Sequence, residues 1–113
     1  MYPIKEVDVK TAKEWLDDGD AVMIDVREKV EHDMLHVPDI PLLPVTYFDL
    51  AALEEKLPNF REKKLIIMCH SGKRSAFVCA ELAKEEHLDC YNLEGGIMCW
   101  ANNNLPTIDE DDD

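Results

Sequence analysis

Lys64-Leu65-Ile66-Ile67-Met68-Cys69-His70-Ser71-Gly72-Lys73-Arg74-Ser75 passes from four apolar residues in a row, through a polar stretch with one glycine, into a helical pattern. A short apolar run bounded by polar residues predicts a strand buried on both faces, the kind found in parallel sheets covered by helices. Beyond the loop a helix is predicted over Arg74 to Glu86; its segment Ala76-Phe77-Val78-Cys79-Ala80 is apolar nearly all round and so should be buried on more than one side. A strand end, a tight loop and a helix start together aim backbone N–H groups and the positive end of a helix dipole into one concavity. That concavity is a cradle for an anion.

The flanking sequence repeats the alternation. Ala21 to Val26 is nearly continuous apolar sequence and predicts a second, central strand, while Pro3 to Val7 and Asp89 to Leu93 predict two more. Asp8 is placed to cap a helix whose apolar face is Val9, Ala12, Trp15 and Leu16, closed by Asp17-Asp18-Gly19. Glu28 to Met34 predicts a brief helix, Tyr47 to Leu57 another and Ile97 to Asn102 a last one. Pro38, Pro41 and Pro44 confine Leu42 and Leu43 to a short strand near an edge. Short strands alternating with helices make this an α/β domain with a parallel sheet.

The 113 residues are enough for one compact domain that buries a core without staples. We expect that domain over residues 1–107 and an acidic, unstructured tail over 108–113; Asn102-Asn103-Asn104 also reads as unstructured. Twelve basic against 25 acidic residues give a net charge of −13, the wrong sign for gripping phosphate backbones or anionic lipid, so no direct nucleic-acid or membrane partner is expected. No apolar run approaches the roughly 20 residues of a membrane helix. The first residues carry no basic-then-apolar leader, so a cytoplasmic location with reduced thiols is expected.

Cys69, Cys79, Cys90 and Cys99 are spaced by 10, 11 and 9 positions, with no Cys-x-x-Cys pair, so neither a metal nor a cofactor is expected. Cys69 stands at the lip of the cradle. A free thiol is only about 3% ionised at pH 7, but a helix start and the neighbouring cations Lys73 and Arg74 should lower its pKa and make it the nucleophile. The other three cysteines lie in apolar segments and read as core thiols.

Three blocks, in order and at matching spacing, make the chain from Ile4 to Pro106 resemble a single rhodanese domain. They are Asp25-Val26-Arg27-Glu28 with Glu31 and His36-Val37-Pro38, the loop Cys69 to Ser75, and Leu93-Glu94-Gly95-Gly96-Ile97 with Trp100 and Leu105-Pro106. Leu35 stands where the family commonly has glycine and Asp39-Ile40 where it has Gly-Ala, so a differently shaped rim is expected there. The resemblance implies a three-layer fold, a five-stranded parallel sheet with helices on both faces. It also implies a sulfurtransferase in which Cys69 carries a persulfide from a small anionic donor such as thiosulfate to cyanide, a thiol or a partner protein. His70, Ser71, Gly72, Lys73, Arg74 and Ser75 would hold the substrate. Asp25, Arg27 and His36 are candidates for the pocket rim, although an ion pair holding the strand end is the simpler account of the first two. A monomer is expected.

Two other functions use related parts. Cysteine phosphatases, and similarly arsenate reductases, place five residues between cysteine and arginine; here only His70, Ser71, Gly72 and Lys73 intervene, a bowl better sized for one sulfur than for a phosphoryl group. A sulfur carrier or interaction module without turnover of its own is the third reading.

Overall fold

The structure is a computed structural model and describes residues 4–85 and 88–109. Strand β1 (Lys5–Val7) leads into α1 (Val9–Asp17), where Asp8 accepts a hydrogen bond from the Thr11 N–H at 2.7 Å as the predicted cap. Then come β2 (Ala21–Asp25), α2 (Lys29–Met34), β3 (Leu35–His36) and α3 (Leu50–Lys56). The second half runs β4 (Lys64–Met68), α4 (Lys73–Leu82), β5 (Cys90–Leu93), α5 (Gly96–Asn102) and β6 (Ile108–Asp109). Pro3 and Glu86, which the sequence reading placed in β1 and α4, lie outside the described residues.

The main sheet is parallel in the order β1-β5-β4-β2, with Val7 opposite Leu93, Leu65 opposite Cys90 and Asp25 opposite Met68. It has four strands among the described residues, not five. The fifth position is held by a single bridge between Asp25 and Leu42: the Asp25 N–H donates to the Pro41 carbonyl at 2.9 Å and the Leu43 N–H to the Asp25 carbonyl at 2.8 Å. Prolines at 41 and 44 lack the donors that would extend this pairing. The consequence is that β2, expected at the centre, is the last full strand on its side.

Side-chain alternation along β4 sorts the core into two layers. Leu65, Ile67 and Cys69 face one cluster with Leu53 of α3 and Val78 and Leu82 of α4, whereas Ile66 and Met68 face Val9 and Ala12 of α1 and Ile97 and Trp100 of α5. Helices therefore cover both faces, and Cys69 continues the parity that leads under α4.

Several local expectations give way to hydrogen-bond geometry. Residues 45–47 form a 3₁₀ turn, and Asp49 restarts the chain as α3 by accepting from the Ala52 N–H at 2.7 Å, so one expected helix is two elements. Phe77 is 62% exposed, and the buried residues of α4, Ser75, Val78, Cys79 and Leu82, share one helical face, so α4 is buried on one side rather than on more than one. Ile108 and Asp109 pair antiparallel with His36 and Leu35 rather than belonging to an unstructured tail; residues 110–113 of that expectation lie outside the described residues. Asn102 closes α5, and Asn103 Nδ2 donates to the Cys99 carbonyl at 2.8 Å, so this polar run is ordered. Cys79 and Cys90 are buried, whereas Cys99 is only partly so. No helix among the described residues is long and apolar enough to cross a membrane.

Candidate functional site

The site forms where β4 ends and α4 begins. The carbonyls of Cys69 and His70 accept hydrogen bonds from the Ile97 and Met98 N–H groups of α5 at 2.9 and 3.1 Å. With its carbonyls held outward, the loop is free to turn its N–H groups inward. Gly96 makes this possible: it sits at φ +60°, and a Cβ there would lie 2.5 Å from both carbonyl oxygens. Gly72, at φ +102°, then bends the chain so that its N–H donates to Cys69 Sγ at 3.1 Å. The Ser75 hydroxyl, from the first turn of α4, lies 3.3 Å from the same sulfur.

Cys69 is buried at 1% exposure. Burial works to raise the pKa of its thiol, but hydrogen bonds from the Ser75 hydroxyl and from the N–H groups of Ser75, Gly72 and Ser71 outweigh it, so the pKa falls below its ordinary value. The sequence reading gave much of this role to Lys73 and Arg74. Lys73 is exposed, and Arg74 forks onto Glu31 of α2, Nη1 to Oε1 and Nη2 to Oε2 both at 2.7 Å. Hydrogen bonding from Arg74 holds the Glu31 carboxyl down at about 2, and the pair raises the Arg74 pKa in return. The larger stabilisation of the thiolate thus comes from N–H and O–H donors aimed at sulfur, while the guanidinium is shared with a carboxylate.

Behind Ser75 stands Asn92 of β5, which the sequence reading passed over. Its Oδ1 meets the Ser75 hydroxyl, and its Nδ2 donates to the Gly72 carbonyl at 3.1 Å and to Glu6 Oε2 at 3.2 Å. Asn92 therefore fixes both the turn that carries Gly72 and the hydroxyl that reaches sulfur. Ser75 has one proton and can donate to Asn92 or to Cys69 Sγ, but not to both at once. A polar residue inside the apolar strand Cys90–Leu93 was the only local signal.

The three rim candidates fare differently. Asp25 and Arg27 are buried and form an ion pair, with Arg27 Nη2 to Asp25 Oδ2 at 2.8 Å and Nε to Oδ1 at 3.0 Å. Arg27 also donates to the Leu35 carbonyl at 2.6 Å, tying the end of β2 to β3, which is the structural role the sequence reading favoured. His36 donates from Nδ1–H to the His32 carbonyl at 2.9 Å and stacks on His32; it does not line the pocket beside the loop. That pocket, of about 240 Å³, is walled by Arg27, Glu31, Met34, Leu35, His70, Ile97 and Met98. In the rim, Asp39 adopts φ +66°, a left-handed conformation that aspartate tolerates better than most residues.

Residues 8–103 match the family model for the rhodanese-like domain. The chain belongs to the rhodanese-like family. It is similar, at 31% identity over 93% of its own length and 95% of the relative's, to a sulfurtransferase of Allochromatium vinosum. It is also 34% identical, over 85% of its length, to the probable adenylyltransferase/sulfurtransferase MoeZ of Mycobacterium tuberculosis, of which it spans only 24%. A rhodanese-related protein of Thermoplasma volcanium superposes with a TM-score of 0.70 at 25% identity, covering 92% of this chain and 97% of that one. These relatives support sulfur transfer as the general chemistry of this rhodanese-like chain.

Proposed function

We propose that this rhodanese-like protein is a sulfurtransferase that carries sulfane sulfur as a persulfide on Cys69. What supports the reading above all is the convergence on Cys69 Sγ of the Gly72 N–H and the Ser75 hydroxyl, with the N–H groups of Ser71 and Ser75 also lowering the thiol pKa. A thiolate so held attacks the outer sulfur of a donor such as thiosulfate. The donor's S–S bond breaks, sulfite leaves with its electron pair, and the terminal sulfur on Cys69 carries the negative charge. The same donors then hold a sulfur anion instead of a thiolate. In the second half-reaction an acceptor, cyanide or a thiol, attacks that terminal sulfur, the new S–S bond breaks, and the Cys69 thiolate returns. Exposed Lys73 draws the anionic donor, and Arg74 assists through whatever part of its fork Glu31 leaves free.

The test is the mass of the intact protein. Thiosulfate should add one sulfur atom, cyanide should remove it, and Cys69→Ser should abolish the adduct. An adduct that persists in Cys69→Ser and maps to another cysteine would overturn the assignment, as would faster hydrolysis of an aryl phosphate than transfer of sulfur to cyanide.

A protein acceptor is favoured by a separate observation. Met34 and Met98, 55% and 48% exposed, flank the mouth of the pocket, more apolar surface than cyanide requires. The name of MoeZ, which joins a sulfurtransferase with an adenylyltransferase, points the same way.

A further inference from the structure

Two cysteines take no part in the chemistry proposed for Cys69, yet their sulfur atoms meet. Cys90 Sγ of β5 and Cys79 Sγ of α4 share a hydrogen bond across 3.5 Å. Both residues are buried, at 8% and 3% exposure, but a pocket of about 270 Å³ reaches them, lined by Ile4, Lys5, Cys79, Ala83, Leu88 and Cys90. Filling a core calls for apolar volume; it calls for neither sulfur against sulfur nor a passage that ends on the pair. A disulfide requires its sulfurs about 2.05 Å apart. The gap is therefore about 1.5 Å too long, and closing it takes side-chain rotation or a shift of α4 over β5.

We propose that Cys79 and Cys90 form an oxidisable dithiol, which a peroxide entering this pocket closes to a disulfide joining α4 to β5. Cys90, the more exposed of the two, attacks one oxygen of hydrogen peroxide. The O–O bond breaks, the sulfur is oxidised to a sulfenic acid, and one water leaves. Cys79 sulfur then attacks the sulfenic sulfur, the S–O bond breaks as the S–S bond forms, and a second water carries off the hydroxyl with the thiol proton. Two thiols and one peroxide become one disulfide and two waters. The reaction is slow, because the hydrogen bond with Cys90 and burial push the Cys79 thiol far up and leave little thiolate.

The place of the bond gives it meaning. Cys79 lies one helical turn beyond Ser75, and Cys90 lies two residues before Asn92 on the same face of its strand. Ser75 and Asn92 are in contact. A Cys79–Cys90 disulfide therefore ties together the two elements that seat the Cys69 loop, directly behind that seat.

The experiment uses Cys69→Ser, so that its outcome does not depend on the function proposed above. The variant is incubated with hydrogen peroxide, weighed intact, digested without reduction, and melted with and without dithiothreitol. The expected result is a loss of about 2 Da for the two hydrogens removed, a cross-linked peptide pair holding Cys79 and Cys90, and a rise in melting temperature that dithiothreitol reverses. Oxidation confined to Cys99, with Cys79 and Cys90 both still alkylated after denaturation, would overturn the proposal. So would a cross-link that leaves the melting temperature unchanged or lower. The same peptide mapping on the wild-type chain shows whether the pair closes when Cys69 is present, and free thiols at both positions there would also overturn it.

Discussion

Ser75 occupies the position on which the chemistry of the thiol depends most. Its side chain is fully buried, touches Cys69 Sγ and Asn92 Oδ1 at once, and has a single proton to give. With Cys69 protonated, the S–H can donate to the Ser75 oxygen while the hydroxyl donates to Asn92. Ionisation reverses this: the hydroxyl must turn towards the thiolate, and Asn92 Oδ1 loses its partner. The hydroxyl is therefore a donor that strengthens as negative charge appears on sulfur, and its removal should act on the charged form alone. In Ser75→Ala the pKa of Cys69 should rise, because the hydroxyl that donates to the thiolate is gone. The pH profile of Cys69 alkylation by iodoacetamide measures it, and the sign follows directly: removing a donor to the thiolate disfavours the thiolate, so the midpoint moves to higher pH. A midpoint that stays in place would assign the lowered pKa to the backbone N–H groups by themselves.

At the scale of elements, the loop is held by contacts between segments distant in sequence. Glu31 of α2 grips Arg74 of α4 across 43 residues, and Asn92 of β5 grips Ser75 across 17. The carboxyl of Glu31, held at about 2 rather than its ordinary 4.5, stabilises the fold fully above the ordinary value and loses that contribution as pH falls from there towards 2. Glu31 and Arg74 retain 30% and 39% exposure, so solvent screening limits the pair to about 0.5 kcal/mol. Between pH 5 and 2, urea denaturation should show the wild type losing about that much more stability than Glu31→Gln. Equal losses would show that the pair holds the loop in place without stabilising the fold. These same contacts mark the limit of what the sequence discloses. The strands Lys64–Met68 and Ala21–Asp25 are legible because burial on both faces writes an unbroken apolar run, and the loop from Cys69 to Ser75 is legible because its donors are contiguous with the thiol. Glu31 and Asn92 are not, since a partner 43 or 17 positions away leaves no local pattern. The prolines around Leu42 do disclose a short edge strand there, but not that its pairing shrinks to a single bridge and leaves the main sheet with four strands among the described residues.

For the whole molecule the governing quantity is charge. The chain carries a net −13, and the donor proposed for it is a dianion. At about 10 mM salt the screening length is roughly 30 Å, comparable to the 41 × 27 × 26 Å extents of the structure, so an approaching donor meets the field of nearly the entire protein. At about 150 mM it shrinks to roughly 8 Å, and only charges near the loop are felt. Those nearest are Lys73, free in solvent, and Arg74, whose charge is offset by Glu31. The long-range field thus repels the donor while the local field attracts it weakly, and salt removes the first before the second. Raising salt from about 10 to 150 mM should therefore increase kcat/KM for thiosulfate by about two- to fivefold, the reverse of the usual outcome for an anionic substrate bound beside cations. Alkylation of Cys69 by uncharged iodoacetamide supplies the control and should change little over the same range. A fall in kcat/KM with salt would mean that the cations at the head of α4 outweigh the rest of the molecule at every distance, and Lys73→Ala would then be the variant that removes the dependence.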